Sequence, residues 1–226
     1  MYNILIASKD INYIKSVINE LSCIQKRVRI SHICTIQQEI IGALQNNSIN
    51  MIILDINNLS NRLISNSSIK NIKVVVISEK ERPTLEYFGK QPISKVIPKN
   101  KGGKYLVKQI EKIIENEFEE NVNKKIIREV EYLHYDLSSI GTSYLIDTIL
   151  IARKKKMLNL EKDIYKTIAN KYSKSVNNIK WNIYNATNNM YYECESNKLK
   201  EYFKFYQDTK PKVKMVISTI LNKISY

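Results

Sequence analysis

Two groups of residues in this chain have types and spacing that can do chemistry. The first is Ser8-Lys9-Asp10, Asp55, Ser78 and Lys99, each at the end of a short apolar run or directly after one. A carboxylate among hydroxyl and ammonium groups can accept a phosphoryl group, or it can be held ionised by direct pairing. The second is Ser175, Asn177, Asn178, Lys180, Trp181, Tyr184 and Asn185, with Lys171 and Lys174 just before them. Amides pair with adenine edges, and lysines with guanine or phosphate.

The elements that must position the first group are legible as apolar runs at 4–7, 28–34, 51–54, 74–77 and 96–97, separated by amphipathic stretches such as 11–21, 36–44 and 105–114. Strands alternating with helices imply crossover connections and a parallel sheet covered on both faces, which suits continuous rather than alternating apolar strands. The expectation is a doubly wound, five-stranded parallel sheet with about five helices. Functional groups in such sheets collect at the carboxyl ends of the strands, where the first group falls.

Asp55, Ser78 and Lys99 at the ends of the third, fourth and fifth runs resemble the response-regulator receiver family over roughly the first 118 residues. The resemblance implies an α/β receiver-like fold with Asp55 at the phospho-acceptor position. The departures are as informative. Where the family carries two adjacent acids that hold magnesium, this chain has Ser8 and Lys9. Magnesium wants carboxylate oxygens and waters, so a hydroxyl and an ammonium remove most of its site. Asp10, one residue on, is expected to point elsewhere. Val96 stands where the family tends to carry an aromatic, and Asn100 where it has a proline. With Lys9 and Lys99 both near Asp55, an ammonium is expected to fill the metal's space, leaving the acceptor inactive. The competing reading is a scaffold carboxylate with no switching role.

Beyond 118 the pattern changes. Residues 119–125 are polar and charged without apolar periodicity and are read as a linker. From 126 to 226 only helical periodicity is found, at 126–135, 143–157, 160–172, 175–195, 199–206 and 211–224, the last opening on Pro211. Tyr172-Ser173-Lys174 form a tight connection and Ser175 an N-cap. Val176, Ile179, Ile183, Ala186 and Met190 give the next helix an inward face. Asn177, Asn178, Lys180, Trp181, Tyr184, Asn185 and Asn188 fall on the outward face. Two helices joined by a short turn in this way are a helix-turn-helix candidate. The competing reading is a helical bundle in which Trp181 and Tyr184 pack against a neighbour. Arg153-Lys154-Lys155-Lys156, Lys162, Lys166, Lys171 and Lys174 are candidates for phosphate contact, or for solvated helix ends.

This second half resembles the DNA-binding domain of the stage-zero sporulation protein A family. The resemblance rests on Gly141 with Tyr144-Leu145, on Ile164-Tyr165 and Ile168-Ala169, on Ile179, Ile183 and Ala186, and on Lys210-Pro211. It implies a domain of about six helices that binds double-stranded DNA and acts on transcription, with homodimerisation usual. The family's recognition helix presents a Glu-Arg pair and, three residues later, an Arg-His pair toward DNA. Here Lys180-Trp181 and Tyr184-Asn185 stand in their place, so the family's own operator is not expected to be read.

Bulk composition narrows the rest. The chain has 226 residues, 43% hydrophobic and 26% charged, enough for two packed domains. Its formal charge of +14 favours polyanionic partners, although an excess of Lys, Asn, Ile and Tyr also follows from AT-rich coding. Cys23, Cys34 and Cys194 with His32 and His134 fit neither a disulfide framework nor a zinc site, which points to a reducing cytoplasm. No apolar run approaches the ~20 residues that span a bilayer, and no membrane partner, metal or cofactor is expected. No phosphate-cradling glycine loop or nucleophile with a histidine is visible, so no enzyme activity is expected. Two functions stay open: a DNA-binding transcription regulator linked to sporulation or stationary-phase control, and an interaction protein that sequesters kinases or other regulators through its receiver-like face.

Overall fold

A computed structural model describes residues 1–46, 48–56, 72–79, 93–154, 163–203 and 209–225. The chain divides into two compact units, Met1–Glu115 and Asn116–Tyr226. No helix among the described residues is long and apolar enough to cross a membrane.

In the first unit, β1 (Tyr2–Ala7), β2 (Val28–Cys34), β3 (Met51–Asp55), β4 (Lys73–Ser78) and β5 (Ile93–Pro98) form one sheet in the order β2-β1-β3-β4-β5. Every pairing is parallel. Successive side chains of a strand point to opposite faces, so each apolar run feeds two cores at once. Leu5, Ala7, Ile52 and Leu54 pack with Ile40 and Ala43 of α2 (Gln37–Asn46). Ile4, Ile6, Met51 and Ile53 pack on the other face with Ile14, Val17 and Leu21 of α1 (Ile11–Leu21). Leu106 and Ile110 of α3 (Gly102–Tyr132) join them. This double coverage is why β3 is buried at every residue and carries no solvent-facing alternation. The order places the ends of β1 and β3 side by side, with β4 and β5 beyond, as expected for a doubly wound receiver-like sheet. Further helices implied by the alternation would fall on 57–71 and 80–92, outside the described residues.

The stretch 119–125, expected as a linker, is instead helical. It lies inside α3, which runs unbroken from Gly102 to Tyr132. Glutamate and lysine are good helix formers, the segment has neither glycine nor proline, and Val122 is buried. A polar stretch with one anchored apolar residue continues a helix as readily as it ends one.

The second unit holds the end of α3 with α4 (Ile140–Lys154), α5 (Tyr165–Tyr172), α6 (Val176–Glu193), α7 (Ser196–Tyr202) and α8 (Val213–Ile224). Ile126, Val130, Leu145, Ile168, Ile183 and Ile220 are among the buried side chains of one shared core. Within it the buried Tyr135 hydroxyl donates to Thr187 Oγ1 at 3.2 Å. Thr187 Oγ1 in turn donates to the Ile183 carbonyl at 2.9 Å. Burial pushes the Tyr135 hydroxyl pKa up, so it stays a proton donor. The expected ends of helices at 155–157, 160–162 and 204–206 lie outside the described residues. Pro211 is not the first helical residue: Lys212 is extended, its carbonyl accepts the first bonds of α8, and buried Pro211 precedes that cap.

At Gly141, α4 comes close to the backbone of α6. A Cβ at Gly141 would sit 2.8 Å from the carbonyl carbon of Asn182 and 3.0 Å from the Ala186 methyl, besides colliding with the Asn182 carbonyl oxygen. Backbone cannot yield as a side-chain tip can, so the absent side chain is what lets the helices meet. Gly141→Ala is therefore expected to destabilise the protein by roughly 1–3 kcal/mol despite alanine's better helix propensity. Denaturant unfolding of the full chain checks this, and an unchanged or raised midpoint would contradict the close-approach account.

Candidate functional site

The ends of β1, β3 and β5 bring Ser8, Asp55 and Lys99 together. Asp55 closes β3 with its side chain fully buried, and its Oδ2 accepts from Ser8 Oγ at 2.8 Å and from Lys99 Nζ at 3.0 Å. Lys99 Nζ also donates to Asp10 Oδ2 at 2.9 Å and lies 5.2 Å from the centre of the Tyr13 ring. Asp10 caps α1, its Oδ1 accepting from the Tyr13 backbone N–H at 3.0 Å. The backbone N–H of Asp10 donates to Ser8 Oγ at 3.1 Å. One ammonium thus bridges two carboxylates, and one hydroxyl ties the strand end to the buried one.

The electrostatics follow this geometry. The Tyr13 N–H, then Lys99, hold the Asp10 carboxyl below the usual carboxylate range. Burial works to lower the Lys99 ammonium, but its bonds to Asp10 and Asp55 outweigh that and raise it. The Tyr13 hydroxyl is pushed up by burial first and by the charges of Asp55 and Asp10 second.

Two expectations change. Lys9 does not join Lys99 at Asp55: it is exposed and makes no ion pair with Asp55. Alternation along the strand end puts Ser8 inward and Lys9 outward. Asp10, expected to point elsewhere, reaches the cluster through Lys99. Ser78 ends β4 and is buried, one residue beyond Ile77, the register partner of Asp55.

A receiver of ordinary type would hold magnesium here, and these residues do not fit it. The acidic pair is absent, and Asp55, the one buried carboxylate among the described residues, is engaged at Oδ2 by a hydroxyl and an ammonium. No group of three or more His, Cys, Asp or Glu side chains among the described residues could hold a metal ion.

The second group is positioned by α5, a turn and α6. Ser173 takes a left-handed conformation at φ 51°, and the Lys174 N–H returns to the Ala169 carbonyl at 2.9 Å, closing α5. Ser175 caps α6, its side chain accepting from the Asn178 N–H at 3.1 Å. Ile179, Ile183, Ala186, Thr187 and Met190 face the core, and Val176 is half-buried. Thr187 was not legible as an inward residue, because its hydroxyl finds its partners only in the folded core.

On the outer face Trp181 is 62% exposed and Tyr184 45% exposed. Their rings lie 6.0 Å apart at 20°. Asn177 and Asn178 are exposed, as are Ser175 and Lys174, whereas Lys180 and Asn185 are half-buried. Lys210 was missed as a site residue. Its ammonium lies 3.8 Å from the centre of the Tyr184 ring, donates to the Tyr184 hydroxyl at 2.7 Å and reaches Asn188 Oδ1 at 3.0 Å. Its separation from α6 in sequence hides that role.

Several basic candidates are engaged elsewhere. Lys171 pairs with Asp147 at 2.6 Å, and that bond raises its pKa. Lys154 pairs with Glu119 at 2.8 Å, and the Arg153 guanidinium lies 4.8 Å from the Phe118 ring centre. Lys166 is exposed. Lys155, Lys156 and Lys162 lie outside the described residues.

Residues 126–224 match the family described as sporulation initiation factor Spo0A C terminal. No curated protein matches the chain. Among solved structures, a CheY-like receiver domain protein from Methanospirillum hungatei is similar at 18% identity and TM-score 0.45, covering 53% of this chain and 98% of its own. The RcsB response regulator of Salmonella typhimurium is similar at 16% identity and TM-score 0.43, covering 99% of this chain and 98% of its own. RcsB from Salmonella enterica serovar Typhimurium bound to promoter rprA is similar at 15% identity and TM-score 0.42, over 99% of both chains.

Two outcomes follow from the Asp55 cluster. Acetyl phosphate with magnesium is expected to leave the protein unmodified; a stable adduct by intact mass, absent in Asp55→Asn, would contradict this. Lys99→Met strands a buried carboxylate and is expected to cost roughly 3 kcal/mol of stability. Equilibrium denaturation measures it, and a loss within error of zero would show that Lys99 is not the counter-charge.

Proposed function

We propose that a receiver-like unit joined to a Spo0A-type C-terminal domain makes this chain a DNA-binding transcription regulator linked to sporulation or stationary-phase control. Its receiver-like unit does not take magnesium-dependent phosphorylation as input. The observation that carries the reading is the outer face of α6. After a tight left-handed turn, a helix anchored in the core leaves Trp181 and Tyr184 open, with Asn177 and Asn178, in a chain of charge +14. A second helix of this kind, with polar and aromatic side chains exposed on its outer face, suits the major groove.

In this reading α5 positions and α6 reads. Lys174, and Lys166 on α5, supply phosphate contacts that give affinity without sequence information, whereas Lys171 and Lys154 are already paired and contribute less. Asp55 belongs to a closed cluster, so the first unit serves homodimerisation or partner sensing rather than a phosphorylation cycle. The bridging of Asp10 and Asp55 by Lys99 also favours a second reading, in which the receiver-like face sequesters kinases or other regulators and the helical domain does not touch DNA.

Gel shifts of the full chain with genomic fragments over a salt series separate the two. The regulator retains preferred fragments at moderate salt. Its affinity falls log-linearly with salt, and Lys174→Ala flattens the slope by about 0.9 while weakening all duplexes alike. Trp181→Ala and Asn177→Ala are expected to weaken the preference. Binding without preference, indifferent to both changes, would favour the interaction protein.

A further inference from the structure

We infer that α6 is built to read A·T base pairs in the major groove, with amides on adenine and the Trp181–Tyr184 pair against thymine methyl groups. This rests on the DNA-binding reading above and adds the chemistry of the target.

α6 contains no arginine, the side chain whose fork best matches guanine O6 and N7. It is rich in asparagine, whose amide matches adenine N6 and N7. The amides are not equivalent. Asn182 turns back on its own helix, donating to the Asn178 carbonyl at 2.8 Å and to Asn178 Oδ1 at 3.2 Å. Asn188 Oδ1 is taken by Lys210. Asn177 and Asn185 make no side-chain hydrogen bond among the described residues. With Trp181 they stand at four-residue intervals, on one ridge of the helix. The ridge therefore presents an amide, an indole and an amide in series.

Tyr184 lies beside this ridge and is held in place. Lys210 binds its hydroxyl and lies over its ring, and the ring in turn stacks on Trp181. Lys210 is thus a positioning residue: its ammonium is spent on Tyr184 and Asn188 instead of on a guanine. Lys180 is half-buried and engaged within the protein. An aromatic surface fixed before binding loses little side-chain entropy on contact. In the major groove the apolar group it can meet is the thymine C5 methyl, which G·C pairs lack.

The test uses the full chain in selection from a random duplex library at fixed moderate salt, followed by affinity measurements on the enriched duplex. Enrichment of A·T-rich sites is expected. Replacing a contacted thymine by uracil removes only the methyl and should weaken binding about fourfold. Replacing a contacted adenine by 7-deaza-adenine should weaken it further. Trp181→Ala and Tyr184→Ala, both at exposed positions, should bind thymine and uracil duplexes equally, and Asn177→Ala and Asn185→Ala should relax selection at one base pair each. Enriched sites centred on guanine, or equal affinity for thymine and uracil duplexes in the unaltered protein, would overturn the inference while leaving DNA binding intact. Tighter binding of single strands than of the duplex would also overturn it. Failure to bind any duplex even at low salt would overturn the DNA-binding reading itself.

Discussion

A carboxylate taken fully out of water requires a counter-charge, and the arrangement of the first unit turns on how Asp55 obtains one. Three strand ends converge on it, and Lys99 reaches it from the fifth strand across the sheet. The same ammonium holds Asp10, which caps α1, so the charge pairing that makes the buried acid tolerable also fixes where the first helix begins. In an open parallel sheet this edge is where ligands bind. Here the Ser8 hydroxyl and the Lys99 ammonium stand at it, joining the ends of three strands.

The second unit depends on a different constraint, the distance between two helix backbones. At Gly141 α4 comes so close to α6 that no side chain fits. The inner face of α6 is gripped there and by its row of buried aliphatic residues, while its outer face carries the exposed Trp181 and Tyr184. That anchoring is what lets large aromatic side chains stand in solvent on a fixed element. The two rings adjoin on this face as one small apolar patch rather than standing as scattered single residues.

The two surfaces have one thing in common. At the end of the first strand stand a hydroxyl and a lysine where the type it resembles carries acids, and α6 has no arginine. In each unit the apolar framework keeps the spacing of the type it resembles, while the groups presented to ligands differ. Packing tolerates few alternatives, because a change of volume or register is felt throughout a core. Exposed groups are under no such restraint, so a scaffold can persist while its chemistry moves.

That distinction also sets what could be read in advance. The runs 28–34 and 11–21 coincide with β2 and α1, and the turn at Ser173 and the cap at Ser175 were visible as well, since period, capping and turn chemistry are local properties. The polar stretch 119–125 misled because a helix needs no amphipathic pattern where neighbouring turns anchor it. The sequence by itself determined the alternation of strands, the order of helices, and which residue types end each strand or face out from α6. Tertiary structure decided that Lys9 turns away while Asp10 joins Lys99, that Thr187 is needed inside, and that Lys210 crosses to Tyr184. These are contacts between residues distant in sequence or at strand ends, and their geometry exists only once the backbone has been packed.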